Sequence, residues 1–404
     1  MGRSKIVAVD AKISFLIGRL LHGIIDYANG RSDWKLLFNV GPLSEGRNFR
    51  SYEELPRLGA RGLLTYNHVD EPDWAERVKA LGLPVVLMGG EGDADCRKFH
   101  GVARDYSKAA EMVAQYFLDR GIRHFACLAQ SEDANAELAG RAFARTALSR
   151  GCGCSWFDAS TGESGSAKTG HEFHPVATAP RKFSKLSLKA IIQWLKSLPR
   201  PIALLAVPDK HAQMVISCCD EAGIDIPGSV AVMGMGNNEL LCLSRRPPLS
   251  SIDMNACRVG YEAARLLDRL MDGEPPPDEP VKIAPRTIVT RASSDVLATA
   301  DSAVVRAVVF IRKRLADPIG LPDIVKESGL ACTTLEQRFH KALDRTVIAE
   351  LLRQRLERAK QLMLETDLSL SQIARLSGFR PTYFHNVFAA KVGTPPAQWR
   401  RERQ

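Results

Sequence analysis

Short apolar runs alternate with longer amphipathic stretches from Lys5 to about Val289. Such runs predict strands, and apolar residues three or four apart predict helices. The predicted strands are Ile6–Val9, Leu36–Phe38, Gly62–Leu64, Val85–Met88, His124–Leu128, a run near Trp156, Ile202–Ala206 and Val230–Met235. The predicted helices are Leu16–Tyr27, Trp74–Leu81, Ser107–Arg120, Ala134–Arg150, Leu186–Leu198, Lys210–Ala222 and Val259–Met271. Two successive sets of βα units predict a two-lobed α/β domain with a ligand cleft between the lobes.

The pattern changes near residue 290. The segment Gly273–Pro280 is too rich in proline to continue a helix, and two short strand-like runs follow it. Beyond Ser302 every element reads as helix. We therefore predict a ligand-sensing domain over residues 1–291, a linker over 292–302 and an all-α domain over 303–404.

The last hundred residues contain an internal duplication. An offset of 49 residues matches Leu321 with Leu370, Ile324 with Ile373, Ser328 with Ser377, Gly329 with Gly378, Leu335 with Phe384 and Phe339 with Phe388. Each copy reads as helix, glycine turn and second helix, and Ile348–Glu365 is long enough to join the copies as one helix. Two linked units could place two recognition helices in successive major grooves, ~34 Å apart. Two helical hairpins packed in a bundle, without DNA, are the alternative.

Polar and basic residues occupy the outward positions of the two second helices. Such side chains reach base edges and phosphates in DNA complexes. The predicted DNA-binding residues are Thr333, Thr334, Gln337, Arg338, Lys341, Arg380, Thr382, Tyr383, His385, Asn386 and Lys391.

Charge and composition favour the same interpretation. The segment from Asp301 to Gln404 has 18 Lys and Arg against 11 Asp and Glu, so it carries +7 of the chain's net +9. A basic terminal domain is typical of polyanion binders, although a solvated helical surface would look similar. We find no apolar run of membrane length and no signal peptide, and we expect a cytoplasmic protein. The nine cysteines lack zinc-ligand spacing, so we predict no metal site and buried reduced thiols.

Residues 303–404 resemble the DNA-binding domain of the AraC family. The resemblance is carried by LPDIVKESGL, RQRLERAKQLML, SQIARLSGF, YFHNVF and GTPPAQWR. Asp344 stands where many members have glycine, and the turn from Gly378 to Phe384 reads as one residue shorter than the family's second unit. The resemblance implies a double helix-turn-helix and sequence-specific DNA binding.

The first 290 residues are similar to the sensor domain of the lac repressor and GalR family, through VARDY, FLDRGIRHFA, LLAVPD and AGIDIPGSVAVMGMG. The order of the two domains resembles AraC-family regulators of the xylose operon type. Only five residues precede the first predicted strand, so we expect no DNA-binding unit ahead of the sensor. The resemblance implies that Asp105, Arg141 and Asp209 hold effector hydroxyls, although each could equally form a structural ion pair.

The sequence departs from this sensor pattern at two places. Gly236 stands where the family has aspartate, and Asn237 and Asn238 are predicted as neutral substitutes in the ligand site. Phe15, Leu16 and Ile17 replace polar residues of the xylose type, which predicts a less polar pocket. The effector is therefore expected to be xylose or another sugar, with a non-sugar effector or none as alternatives.

The sequence predicts a ligand-responsive transcription regulator and no enzyme. We find no catalytic constellation and predict no cofactor. The expected partners are double-stranded DNA with repeated half-sites, a small effector, a second copy in a homodimer and possible contact with RNA polymerase. Activation is expected from the resemblance, with repression as the alternative. A sugar-binding protein and a carbohydrate enzyme are the alternatives from other classes.

Overall fold

The fold was analysed in a computed structural model of the 404-residue chain. The structure describes residues 5–11, 15–40, 51–66, 73–130, 133–159, 161–167, 185–299 and 301–403. The chain divides into two compact units. Unit 1 contains residues 1–115 and 123–295, and unit 2 contains 116–122 and 296–404.

The first lobe of unit 1 surrounds a six-stranded sheet, sheet A, in the order β12-β5-β4-β3-β1-β2. All its neighbouring strands are parallel. Its strands are β1 Lys5–Ala11, β2 Trp34–Val40, β3 Ala60–Tyr66, β4 Val85–Gly90, β5 Val102–Arg104 and β12 Val281–Ile283. Strands β1, β3 and β4 are mostly apolar because both faces of a parallel sheet are covered.

The second lobe contains a seven-stranded sheet, sheet B, in the order β13-β11-β10-β9-β6-β7-β8. Its inner strands are parallel, whereas β8 and β13 pair antiparallel with their neighbours at the two edges. Its strands are β6 His124–Ala129, β7 Gly153–Asp158, β8 Ser164–Ala167, β9 Ile202–Ala206, β10 Val230–Met235, β11 Ser250–Asp253 and β13 Thr287–Val289.

Helices cover both sheets of unit 1. They are α1 Phe15–Asn29, α2 Trp74–Lys79, α3 Ala94–Lys98, α4 Tyr106–Leu118, α5 Ala134–Leu148, α6 Lys185–Ser197, α7 Asp209–Glu221, α8 Glu239–Leu243 and α9 Ala256–Met271, with a 3-10 helix at Tyr52–Glu54. Helices α1 and α9 approach closely because Gly23 and Gly260 face the other helix. A Cβ on Gly23 would lie 1.8 Å from the Cys257 carbonyl oxygen.

Unit 2 is all helical in its described C-terminal part. Its helices are α10 Ser302–Lys313, α11 Leu321–Ser328, α12 Cys332–Leu343, α13 Val347–Glu365, α14 Leu370–Leu376, α15 Pro381–Val392 and α16 Pro396–Arg403. One apolar cluster packs α10 to α13 around Phe339, and a second packs α13 to α16 around Phe388 and Trp399. The long helix α13 contributes to both clusters and so joins the two copies of the repeat, as predicted.

Unit 2 also includes residues 116–122, from the end of α4 and the turn after it. The Arg120 carbonyl accepts from the Ala298 N–H at 2.9 Å, and Arg345 pairs with Asp119 at 3.3 Å. Arg345 also pairs with Glu350 at 2.9 Å, and Glu350 is buried and bound by Arg353 as well. These contacts explain why the segment groups with the C-terminal helices.

The sequence missed several short elements. Strand β8 lies in a polar stretch that predicts no strand, and β5, β11, α3 and α8 are too short for a periodic pattern. The stretch predicted as a linker also makes ordered contacts. Ser293 is fully buried and its hydroxyl donates to the Val232 carbonyl at 2.7 Å, so the start of that stretch belongs to unit 1.

Candidate nucleic-acid interface and ligand cleft

The first helix-turn-helix consists of α11 and α12. Pro322 lies in the first turn of α11, where its missing N–H has no cost, and the Asp323 carboxylate accepts from the Gly320 N–H at 2.9 Å. Gly329 ends α11 with a φ of +73°, in the left-handed region that favours glycine. Leu335, Phe339 and Leu343 form the buried face of α12, four residues apart.

The second helix-turn-helix consists of α14 and α15. Ser369 and Gln372 form a capping box at the start of α14, with bonds of 3.3 and 2.9 Å. Gly378 follows α14 with a φ of +76°, and Pro381 starts α15. Phe384, Val387 and Phe388 form the buried face of α15. The local sequence therefore builds the same motif twice.

The two copies have identical spacing. Helices α11 and α14 start 49 residues apart, at Leu321 and Leu370, and the second helices start 49 apart, at Cys332 and Pro381. Both second helices have 12 residues. The distance along the chain from the start of the first helix to the start of the second is therefore the same in both copies, although α14 is one residue shorter than α11. The duplication predicted from sequence is confirmed.

The residues predicted to contact DNA lie on the outward faces of α12 and α15 or directly before α15. All are exposed except Thr334, which is half-buried. Tyr383 is the most notable, because an aromatic side chain that is 61% exposed has little packing role. Arg338 is 48% exposed and its Nη1 lies 3.4 Å from the Asp301 carboxylate, at the start of α10. The structure thus brings these side chains onto the exposed surface of the two second helices or next to it.

The predicted ligand residue Asp209 lies in a buried network of the second lobe. Its Oδ1 accepts from the Ser251 hydroxyl at 2.5 Å, and its Oδ2 accepts from the Asn238 N–H at 2.7 Å. Burial raises the pKa of Asp209 to about 6, although both hydrogen bonds favour the charged form. Both carboxylate oxygens thus have partners within the protein.

Asn237 and Asn238 belong to the same network. The Asn237 amide oxygen accepts from Arg291 at 3.0 Å, and the Asn238 amide oxygen caps α8 by accepting from the Leu241 N–H at 3.3 Å. Ser251 and Arg291 were not predicted as site residues. Strand β11, which contains Ser251, is only four residues long, and Arg291 lies next to the predicted linker. They could have been identified only from the pairing of β11 with β13, which the sequence does not show.

The structure does not bring the other two predicted ligand residues into this network. Asp105 starts the turn into α4, where its carboxylate accepts from the Lys108 N–H at 2.7 Å and burial raises its pKa. Arg141 is 48% exposed on α5 and pairs with Glu137 of the same helix at 2.6 Å. An ion pair of this kind is the alternative to ligand binding that the sequence analysis left open for Arg141. The side chains of Phe15, Leu16 and Ile17 lie outside the described residues.

Potential metal ligands and cysteines were the other candidates for chemistry in the sequence. No group of three or more potential metal ligands occurs among the described residues. Seven of the nine cysteines are buried, while Cys257 is half-buried and Cys332 is exposed at the start of α12, against the prediction that all are buried. Within the described ranges, no helix is both long enough and apolar enough to span a membrane.

Family models match both parts of the chain. A periplasmic binding protein-like domain matches residues 114–294, and a helix-turn-helix domain matches residues 324–402. The chain is 30% identical over 229 residues to the xylose operon regulatory protein of Escherichia coli K12 and 31% identical over 211 residues to that of Haemophilus influenzae. These matches cover 56% and 52% of this chain, and 58% and 54% of the relatives' own lengths.

Solved structures extend the likeness in fold. The structure of a xylose-binding transcription activator matches with a TM-score of 0.58 at 23% identity, covering 99% of this chain and 98% of that chain. Transcription regulator CcpA of Lactococcus lactis matches with a TM-score of 0.55 at 17% identity, covering 72% of this chain and all of that chain. The chain thus joins a two-lobed periplasmic binding protein-like domain to a helix-turn-helix domain, and over about half of its length it is similar to the xylose operon regulatory proteins.

Proposed function

We propose that this chain is a transcription regulator that binds specific DNA sequences through its two helix-turn-helix copies and responds to a small sugar or sugar derivative in unit 1. The observation that carries the proposal is the repeated helix-turn-helix. Helices α12 and α15 start at the same position in their copies, and both have polar residues on their exposed faces. The relatives' names, which describe regulation of a xylose operon, support the same class of function.

The chemistry of α12 fits base recognition. Arg338 and Gln337 are exposed on the same helix, and these side chains form bidentate hydrogen bonds to guanine and adenine respectively. Lys341 lies one turn further on and offers a charge to a phosphate. The net +7 of the C-terminal segment adds a salt-sensitive attraction to DNA.

The remaining parts of the proposal concern assembly and control. A homodimer in the cytoplasm would place two such domains on repeated half-sites. A ligand that binds one arrangement of the lobes better than another would shift the DNA-binding equilibrium. We expect activation of sugar-utilisation genes, and contact with RNA polymerase follows from that expectation.

Selection from a random duplex library tests the proposal directly. The full chain should enrich a repeated motif, and binding to it should exceed binding to a scrambled duplex by about 10³-fold or more at physiological salt. Equal affinity for both duplexes at all salt concentrations would refute sequence-specific recognition. Sedimentation of the free chain and of its DNA complex measures the dimer separately.

A further inference from the structure

A buried guanidinium that pairs with no carboxylate of the described residues lies at one end of sheet A. Arg104 is the last residue of β5 and is only 5% exposed. Its Nε donates to the Gly89 carbonyl at 3.2 Å, and its Nη2 donates to the Tyr66 hydroxyl at 3.1 Å. Its other N–H groups have no acceptor among the described residues, and no described carboxylate pairs with it.

Two tyrosines surround the Arg104 guanidinium. The rings of Tyr66 and Tyr106 lie 5.7 and 5.2 Å from its central carbon. Such contacts attract a cation but supply no anionic group that pairs with it directly. The Tyr106 hydroxyl also has no hydrogen-bond partner among the described residues, and burial raises the pKa of Tyr106, so this hydroxyl stays protonated and able to donate.

The carboxylates around this cluster have other partners. Asp93 accepts from the Gly90 N–H at 2.6 Å and from the Asn135 amide at 2.7 Å. Asp133 caps α5 by accepting from the backbone N–H groups of Asn135 and Ala136. Burial opposes the charge of Arg104, but the hydrogen bond to Tyr66 and the nearby Asp93 carboxylate raise its pKa, so the guanidinium stays charged.

The cluster lies where the two lobes of unit 1 meet. Tyr66, Gly90 and Arg104 end β3, β4 and β5, and ligands of open parallel sheets bind outside such carboxyl ends. Asn135, from the first turn of α5 in the second lobe, accepts from the Gly92 N–H at 2.9 Å directly after β4. Arg104 and Tyr106 therefore lie at the boundary between the two lobes, where the sequence predicts the ligand cleft.

A buried charge without a directly paired counterion is destabilising, and a ligand that supplies such a counterion offsets part of this cost. The planar guanidinium is suited to a carboxylate or phosphate because it donates two parallel hydrogen bonds to their oxygens. We propose that the effector is an anionic sugar derivative whose carboxylate or phosphate pairs with Arg104 and accepts from Tyr106. This inference rests on the proposed function and narrows its ligand class.

Calorimetric titration of the full chain tests this proposal with matched ligand series. One series is D-xylose, D-xylonate and D-xylose 1-phosphate, and the other is D-glucose, D-gluconate and D-glucose 6-phosphate. We expect a charged member to bind at least tenfold more tightly than its neutral parent sugar. The acid and phosphate arms distinguish the two sources of negative charge, and inorganic phosphate and acetate measure binding of the charge alone.

Variants locate the charged partner. Arg104→Gln should reduce affinity for the charged ligand by tenfold or more and abolish its advantage over the neutral sugar. Tyr106→Phe keeps the ring, should keep the fold, and should weaken binding a few-fold. Arg145→Gln is the control, because Arg145 is 68% exposed on α5 and pairs with Glu111 at 3.4 Å, so affinity should not change.

The outcomes separate this inference from the proposed function. A neutral sugar that binds as tightly as its acid and phosphate would overturn the anionic ligand but support sugar sensing. A charged ligand whose affinity is unchanged in a folded Arg104→Gln variant would overturn the role of Arg104. If no member of either series binds, the anionic effector is wrong, and selection on the DNA library still tests DNA binding independently.

Discussion

The two helix-turn-helix copies share one backbone plan, yet equivalent positions of their second helices hold different chemistry. At an offset of 49 residues, Arg338 of α12 matches Val387 of α15, and Lys341 matches Ala390. Val387 is buried, whereas Arg338 is exposed. At these two positions the first copy therefore carries charged side chains and the second carries apolar ones, while the exposed basic residues of the second copy are Arg380 and Lys391. The two copies therefore share a fold but differ in the side chains that they expose.

The copies also differ where each first helix ends. A Cβ on Gly329 would meet nothing within 4 Å, while a Cβ on Gly378 would lie 2.1 Å from the Leu315 carbonyl oxygen and 2.5 Å from Arg355. Arg355 donates to the carbonyls of Leu315 and Asp317 at 3.1 and 2.6 Å. The second turn is thus packed against the α10–α11 connection, and the first is open.

The largest expected difference follows from these two glycines. Gly378→Ala should lower the free energy of unfolding by about 3 to 4 kcal/mol, because strain at positive φ adds to a backbone clash. Gly329→Ala has only the conformational strain and should cost about 1 kcal/mol. Urea denaturation of the two variants measures both, and equal losses would show that the turns are equivalent.

Arg338 tests whether the first copy dominates recognition. If it reads a guanine, Arg338→Ala should weaken specific binding by about 1 to 3 kcal/mol with little effect on a scrambled duplex. Asn386→Ala in the second copy should cost less. Fluorescence anisotropy on both duplexes measures the losses, with Arg265→Ala of unit 1 as a control for lost charge. An equal loss of affinity on both duplexes would make Arg338 a phosphate contact.

The ends of the second helices allow a reciprocal exchange. Asp344 ends α12 with a φ of +56°, and the equivalent Gly393 ends α15 with a φ of +86°. Asp344→Gly should raise the free energy of unfolding by up to about 1 kcal/mol, and Gly393→Asp should lower it by about 1 kcal/mol, because only glycine adopts positive φ without strain. Thermal denaturation measures the change in stability of each variant. A change of the same sign in both variants would contradict this account.

The smallest expected effect concerns two equivalent buried serines. The Ser328 hydroxyl donates to the Val325 carbonyl at 2.7 Å and accepts from the Leu330 N–H at 3.2 Å, whereas the Ser377 hydroxyl oxygen has no partner among the described residues. Ser328→Ala should cost about 1 kcal/mol. Ser377→Ala should be neutral or stabilise by about 0.5 kcal/mol, since an unsatisfied hydroxyl is removed. A measurable loss of stability in Ser377→Ala would contradict this account.

The sequence predicted long periodic elements well and tertiary partners poorly. Strands β9 and β10 have the predicted bounds, and α13 begins one residue before its predicted start, because burial on regular faces leaves a clear pattern. The predicted DNA-binding residues share outward faces for the same reason. Arg104 was overlooked beside Asp105, because a three-residue strand has no period and nothing in the sequence shows that a charge lacks its counterion.

The membership of residues 116–122 in unit 2 has a consequence for protein engineering. A chimera that joined residues 296–404 to another sensor would omit Asp119, and the Arg345–Glu350 cluster would lose an acceptor. Residues 296–404 alone are therefore not the whole C-terminal unit. A functional transfer of this unit to another sensor also requires residues 116–122. Recombination between such genes would therefore have to keep both segments together.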